Sequence, residues 1–563
     1  MKKFAIIIAV FLFVSVHQAQ AQSGKYIIQF KDKNNSPYSL SNPGEFLSSK
    51  SIARRERQQI SFDSTDLPVN PAYLDSIQNA GSVTILNSSK WLNQVLIQTS
   101  DANALNHIQQ LNFVKASKKI APRTSRQEPD TEDKLIKNTA PSKKIMGSQG
   151  TGDYLNYGST YNQISIHEGE FLHNKGFLGE GMTIAMLDAG FYHYDTNPAF
   201  DSMRLQQRVL GTWDFVANKE SVTEEHYHGM LCLSTIAANR PGTMVGTAPH
   251  AKFYLFRTEN VATEFPVEEQ NWVAAAERAD SLGVDLITTS LGYSTFDDPS
   301  MNYSYEDMDG KTTICARGAE WAAKKGIIVT VSAGNSGNGS WHYIGTPADA
   351  EHVITIGSVD YSGNPSAFSS YGPSADGRVK PDVVSVGSNT VVAGISGNPT
   401  SAYSGTSLAN PNLAGLITCL WQAFPEFTSL DIRDAVQKSG NSYLSPNDRI
   451  GYGIPNMRIA YNLLLQKRNE KNIERILSKD WIKAYPVPFT NSFNIVLNPP
   501  QSARSIFVLY NSAGNMVMVK NVDVQSGVYQ QIPVTNLSTL AGGVYWLSYS
   551  DGKNSKIVRL VKQ

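Results

Sequence analysis

The chain has 563 residues, of which 41% are hydrophobic and 17% charged, enough apolar material for several packed domains and too much for a disordered polymer. Its 49 basic residues balance 49 acidic ones, leaving none of the basic excess that a nucleic-acid partner demands. Three cysteines exclude a disulfide-framed scaffold.

At the N-terminus, Lys2 and Lys3 precede an apolar run over 4–16 that closes in Ala19-Gln20-Ala21. The run is shorter than the ~20 residues of a membrane-spanning helix. A charged start, an apolar centre and a small-x-small end make residues 1–21 a secretory signal peptide. No later stretch is apolar for long enough to cross a bilayer, so export without a transmembrane anchor is expected. Residues 22–120 predict an α+β unit: a strand over 25–30, a helix over 51–59, strands over 82–86 and 94–98, a helix over 102–111 and a closing strand at 113–114. That order fits a ferredoxin-like split unit. Over 121–150 the pattern gives way to Lys, Pro, Ser, Thr and acids, an exposed linker of the kind where proteolytic nicking concentrates.

The segment 151–465 alternates apolar runs at 182–187, 252–256, 284–289, 327–332 and 353–357 with helical patterns such as 268–282, where Trp272, Ala275, Ala276 and Ala279 share a face. Near-continuous apolar strands separated by helices predict an α/β fold, a parallel sheet sandwiched by helices. A charged linker at 466–484 leads to 485–563, where β-rich segments at 493–497, 505–510, 516–519, 527–532, 543–549 and 556–561 are divided by turn residues. This predicts a small β-sandwich.

Three central strands end in polar residues: Asp188-Ala189-Gly190, Ser290-Leu291-Gly292 and Ala333-Gly334-Asn335. In an open α/β sheet, ligands bind outside the carboxyl ends of the strands. Two apolar helical runs open with a reactive group, one at His228-Gly229 and one at Gly405-Thr406-Ser407. A hydroxyl at a helix N-terminus sits where backbone N–H groups favour developing negative charge. Taken singly, each residue has a plainer role. Asp188 reads as a loop carboxylate, Asn335 as a left-handed turn residue, and Ser407 as a helix cap. His226 and His228 suggest a metal but lack a third ligand nearby, so no metal site is assigned.

Together these residues carry a resemblance. GMTIAMLDAG, HGMLCLSTIAAN, VGTAPHA, TTSLGYS, VSAGNSG, FSSYGP, KPDV and SGTSLANP, in that order, resemble the subtilisin-like serine peptidases across the whole central segment. The chain order Asp188, His228, Ser407 is that family's order, and no Gly-x-Ser-x-Gly of an α/β-hydrolase esterase occurs. The resemblance implies a catalytic triad of those three residues acting on protein or peptide substrates. It also implies an oxyanion-stabilising amide at Asn335, and substrate contacts from Ser290, Leu291, Gly292, Ala333 and Gly334. An inactive surface or adhesion protein on the same scaffold is the alternative. Two departures stand out: Met230-Leu231 replace the usual Thr-His, and Ala189 replaces the hydroxyl residue after the Asp, which puts one hydrogen bond to Asp188 in doubt. Tyr293 stands where small residues often follow Ser-Leu-Gly and predicts an altered pocket mouth. Cys232, Cys315 and Cys419 are expected to be buried free thiols.

By the same resemblance, residues 22–120 form the chain's own inhibitory propeptide and 121–150 the maturation region. The stretch 485–563, opening on AYPVPFTNSFNI, is similar to the type IX secretion sorting domain. Export through the periplasm to the outer-membrane secretion machinery follows, with a secreted or cell-surface location in a Gram-negative bacterium. The chemistry requires no cofactor. A structural calcium ion is expected from the resemblance alone, because the acidic stretch 305–310 reads better as a solvated loop.

Overall fold

The computed structural model describes residues 24–122, 136–137, 152–223 and 226–563, so the signal peptide and most of the linker lie outside the described residues. Two compact units divide the chain, 1–460 and 461–563.

The first unit opens with β1 (Gly24–Phe30), α1 (Ser49–Gln58), α2 (Pro71–Gln78), β2 (Val83–Ser89), β3 (Gln94–Thr99), α3 (Ala102–Gln110) and β4 (Val114–Pro122). The strands form an antiparallel sheet in the order β2-β3-β1-β4. Period-two alternation gives each strand two faces. Ile28, Phe30, Val95 and Ile97 pack with Ile77 of α2 and Ile108 of α3. Ile27 and Leu96 point the other way and meet Phe265 and Val267 of the central segment.

The expected helix at 51–59 exists as α1, but it adds nothing to that sheet's core. The crossover helix is α2, which the sequence reading left out. Asn70 caps it, Pro71 opens it, and it buries Ile77. The polar sequence SKSIARRERQ of α1 has no apolar stripe to lay on the sheet, so α1 is free to dock elsewhere.

A two-residue strand, β5 (Ile136–Lys137), follows, and the central segment is built on β6 (Thr183–Asp188), β7 (Val209–Asp214), α4 (His228–Ala237), β8 (Lys252–Arg257), α5 (Val267–Leu282), β9 (Leu286–Thr289), α6 (Ile314–Lys324), β10 (Ile328–Ser332), β11 (Ile354–Val359), β12 (Val383–Val386), β13 (Thr390–Ala393), β14 (Pro399–Ser404) and α7 (Thr406–Ala423). Seven of these strands make one sheet, ordered β12-β11-β10-β9-β6-β8-β7, and every pairing in it is parallel. Every residue of β6, β9, β10 and β11 is buried, which explains their unbroken apolar pattern. The edge strand β7 is half-exposed and β12 has only four residues, so neither carries a strong sequence signal. Alanines at 275, 276, 279, 316 and 319 let α5 and α6 pack closely with Trp272 between them and the sheet. Helix α7 is buried along almost its whole length.

The helix Met457–Leu477 carries the chain into the second unit. There β15 (Ile482–Tyr485), β16 (Phe493–Leu497), β17 (Ala503–Tyr510), β18 (Met516–Val524), β19 (Gln530–Val534), β20 (Gly543–Ser550) and β21 (Ser555–Lys562) form two antiparallel sheets, β15-β16-β19 and β18-β17-β20-β21. Phe493, Ile495, Leu497, Phe507, Leu547 and Tyr549 fill the space between them. Among the described residues no helix is long and apolar enough to cross a membrane.

Candidate active site

The carboxyl ends of β6, β9 and β10 carry Asp188, Ser290 and Ala333-Gly334-Asn335, and α4 and α7 begin at His228 and Thr406-Ser407. Asp188 and His228 are both buried, with the Nδ1 of the imidazole 2.6 Å from the carboxylate Oδ1. That oxygen also accepts the N–H of Ala189 at 2.7 Å. Ala189 brings no hydroxyl to Asp188, so what it offers that carboxylate is this backbone N–H.

Close contact between α4 and the end of β6 depends on Gly229. A Cβ there would lie 2.5 Å from the Gly190 carbonyl oxygen and 2.9 Å from the Asp188 Cβ. Met230 and Leu231 are fully buried, as packing residues should be. Burial alone would lower the pKa of His228, but the Asp188 carboxylate at hydrogen-bond distance prevails, and the net shift is well above the ordinary histidine value.

Ser407 is tied down by a device the sequence reading missed. Pro411 has no N–H, so it cannot bond the Ser407 carbonyl four residues back. That carbonyl is taken instead by the Ser290 hydroxyl at 2.9 Å and the Cys232 thiol at 3.1 Å. The Ser407 hydroxyl donates to the Ser290 carbonyl at 3.3 Å. Asn410 also binds α7 to the end of β9, its amide donating to the Thr289 carbonyl at 2.8 Å. The proline in SGTSLANP was the available signal for this arrangement. The Nε2 of His228 is buried and makes no hydrogen bond among the described residues, so the Ser407 hydroxyl, which turns to the Ser290 carbonyl, is not bonded to the imidazole.

Asn335 is oriented by its own acceptor. Its Oδ1 takes the N–H and the hydroxyl of Thr406, each at 2.9 Å, which turns the amide nitrogen away from α7. Gly334 has φ +101, and a Cβ on it would lie 2.9 Å from the Ser370 hydroxyl, so glycine is required. Leu291 and Ala333 are buried in the core, and the Ser290 side chain is committed to Ser407. What Ser290-Leu291-Gly292 offers a ligand is therefore mainly backbone.

Tyr293 corrects the expectation of an altered pocket mouth. Its ring is buried, its hydroxyl donates to Glu259, and its backbone pairs with Thr346. It is a core residue because the pleat turns it to the same side as Leu291.

The cysteines are free and buried, with burial pushing the Cys232 and Cys315 thiols upward. Three groups bring potential metal-ligand atoms within 4.8 Å: Asp188, His228 and Cys232; Glu320, Glu351 and His352; Glu259, Glu264 and Glu268. In the last group Glu268 accepts the N–H groups of Asn260 and Phe265, so its carboxylate braces a loop. Within the acidic stretch 305–310, Asp307 caps Ser304 and Asp309 accepts from Lys311 and Thr312, the behaviour of turn residues.

Residues 179–453 match the subtilase family, 25–134 the peptidase S8 propeptide domain of Bacteroidota, and 483–563 the secretion system C-terminal sorting domain. Serine protease AprX of Bacillus subtilis (strain 168) is 28% identical over 316 residues, covering 51% of this chain and 67% of its own. Subtilisin NAT of Bacillus subtilis subsp. natto is 29% identical over 301 residues, covering 53% of this chain and 70% of its own. Subtilisin Savinase of Lederbergia lenta is 28% identical over 298 residues, which is 53% of this chain and 97% of that protein.

Proposed function

The chain belongs, through residues 179–453, to the subtilase family, and from that premise we propose that Asp188, His228 and Ser407 are the catalytic triad of a secreted serine endopeptidase. The observation that carries this reading is the buried 2.6 Å contact of Asp188 with His228, on a helix whose Cys232 thiol reaches the Ser407 carbonyl at 3.1 Å. Ser407 attacks the peptide carbonyl while the Nε2 of His228 takes its proton. Asp188 holds the imidazole in the required tautomer and stabilises the imidazolium. His228 then passes the proton to the leaving amine, and water clears the acyl-enzyme by the same steps.

The developing oxyanion takes the Asn335 amide and the Ser407 N–H. In the first turn of α7, Asn335 already holds the Thr406 N–H and the Gly405 carbonyl holds that of Leu408, so the Ser407 N–H is the donor left for substrate. Substrate backbone lies along Ser290-Leu291-Gly292 as an added strand, with Ala333-Gly334 forming the opposite wall.

The enzyme is made as a zymogen with a Bacteroidota-type propeptide, and its type IX sorting domain marks a secreted or cell-surface protein of a Gram-negative bacterium. We divide the chain into a signal peptide at 1–21, propeptide at 22–120, maturation linker at 121–150, catalytic domain at 151–465, linker at 466–484 and sorting domain at 485–563. The triad chemistry uses no cofactor. Calcium, which the family resemblance suggests, would serve structure only, and no ligands are assigned to it.

The test compares wild type with Ser407→Ala in the full chain. Wild type is expected to lose its propeptide and digest casein, and the variant to do neither. A variant that matures and digests casein normally would remove Ser407 from the mechanism.

A further inference from the structure

Tyr293 follows directly on the residues offered to substrate, and it is backed by acids. Its backbone pairs with Thr346 in both directions, at 2.8 and 3.1 Å, and its hydroxyl donates to Glu259. Thr346 shares a buried hydroxyl contact of 2.5 Å with Thr313, the cap of α6. Two further carboxyls close on this joint. Glu269 of α5 accepts the Cys315 N–H, in the first turn of α6, at 2.9 Å and the Tyr303 hydroxyl at 2.6 Å. Asp349 accepts the Gly310 N–H at 2.7 Å and a bond from the Thr346 side chain. Gly310, at φ +76, suits this approach, because a Cβ there would lie 2.9 Å from the Asp349 carbonyl oxygen.

The segment 294–313 is thus tethered at Tyr303, Gly310 and Thr313, and the first two tethers run to carboxyls. Glu269, Asp349 and Cys315 are fully buried. Every group bonded to the two carboxyls is neutral, and one oxygen of Asp349 is buried without a hydrogen bond among the described residues. The cations that face them are spent elsewhere: Lys380 lies 2.7 Å from Asp382, and Lys118 is exposed on β4. Glu268, the neighbour of Glu269 on α5, braces the loop at Asn260 and Phe265. Burial, together with Glu269, Asp349 and Glu259, raises the Cys315 thiol, so three carboxyls surround it.

A charge without a counter-ion is costly in so dry a place, and both acids hold their protons to high pH. Burial, helped by the Asp349 charge, pushes Glu269 up to about 7. Burial likewise pushes Asp349 up to about 6.

We propose that Glu269 and Asp349 are proton-dependent positioning residues: protonated, they clamp the 294–313 segment behind Ser290-Leu291-Gly292, and when both ionise the clamp loosens and substrate is held less tightly. The inference rests on reading Ser290-Leu291-Gly292 as the strand that substrate joins. A carboxyl raised in the folded chain fits the fold best when neutral. The clamp is therefore tightest in acid and weakens as pH climbs out of the ordinary carboxyl range through about 6 and about 7. Each group then weighs against the closed form by up to about tenfold per pH unit above its own value. Neutral His228 raises kcat over the same interval, so KM and kcat should climb together as pH rises.

The test assays the matured enzyme on one peptide substrate, as wild type and as Glu269→Gln with Asp349→Asn, which keep shape but cannot ionise. Wild-type KM is expected to rise at least ~10-fold between about pH 6 and 8, and that of the double variant to stay level with pH. A merely structural loss would raise KM equally at every pH. In the full chain carrying Ser407→Ala, amides of 294–313, corrected for intrinsic exchange, should exchange about 10-fold faster at about pH 8 than at about pH 6. Adding the two substitutions should abolish that difference.

A rise in KM that persists in the double variant overturns the proposal, as does exchange that ignores pH in the parent. A level wild-type KM also overturns it; if exchange still follows pH, the fault lies with the substrate strand, not the clamp. Glu269→Gln alone removes the ionisation nearer pH 7 and should flatten most of the rise, which decides the matter if the pair fails to fold. Exchange needs no catalysis, so its failure is distinct from failure of the triad assignment.

Discussion

At His228, activity and stability are expected to depend on pH with opposite signs. The Asp188 carboxylate outweighs burial and raises the folded pKa above the ordinary histidine value of about 6.5. The resulting stabilisation is fully present below that ordinary value and is lost as pH climbs through the raised folded one. Catalysis gains over the same interval, because only neutral imidazole can accept the Ser407 proton. The acid limb of kcat/KM in the matured enzyme is therefore expected to inflect above about pH 6.5. Asp188→Asn, matured in trans, should move that limb to lower pH and reduce kcat about 10⁴-fold. A limb at or below the ordinary value in wild type would contradict the assignment. For Asn335→Ala, kcat should fall about 10²–10³-fold with KM nearly unchanged, a magnitude taken from subtilisin itself, the reference case for this effect. Equal losses from KM alone would mean that Asn335 binds ground-state substrate. The types and order of these residues were readable directly from the chain. The bracing of Ser407 by Ser290 and Cys232 was not, because it joins side chains from three elements distant in sequence.

At the level of elements, the site exists because α4 and α7 start against the ends of β6 and β9. Gly229 sets the first of these contacts, with a Cβ predicted only 2.5 Å from the Gly190 oxygen. Gly229→Ala should cost about 1–3 kcal/mol of stability by overpacking, and should cut activity more than thermal stability, since the forced shift falls on His228. Matched melting curves and peptide-hydrolysis rates would show this, and an alanine variant with wild-type kcat would refute it. The buried strands were legible because full burial leaves an unbroken apolar run, as in β10 and β11. The half-exposed β7 and the short α2 escaped notice for the converse reason. Helix α1 was correctly expected as a helix but misplaced in role. Its arginines look like a solvated face until Asp280, more than two hundred residues away, is folded against them.

At the scale of the whole molecule, the two units have separate cores, and the C-terminal one is closed on itself by Phe493, Phe507, Leu547 and Tyr549. Removing residues 483–563 should therefore leave the catalytic unit folded while blocking passage across the outer membrane. Cell fractionation should find the truncated chain in the periplasm and the full chain outside, and equal export of both would remove the sorting role. The sequence by itself determined the layered architecture and singled out the candidate triad. Period-two and unbroken apolar runs specify layers through local burial, and Asp188, His228 and Ser407 keep a chain order that survives without coordinates. Only the tertiary structure decided that Tyr293 packs inward, that Pro411 frees a carbonyl for Ser290 and Cys232, and that Arg54 and Arg55 find their counter-charge at the sheet's amino edge. Each of these depends on which distant groups share a dry environment, and no local pattern in the chain encodes that.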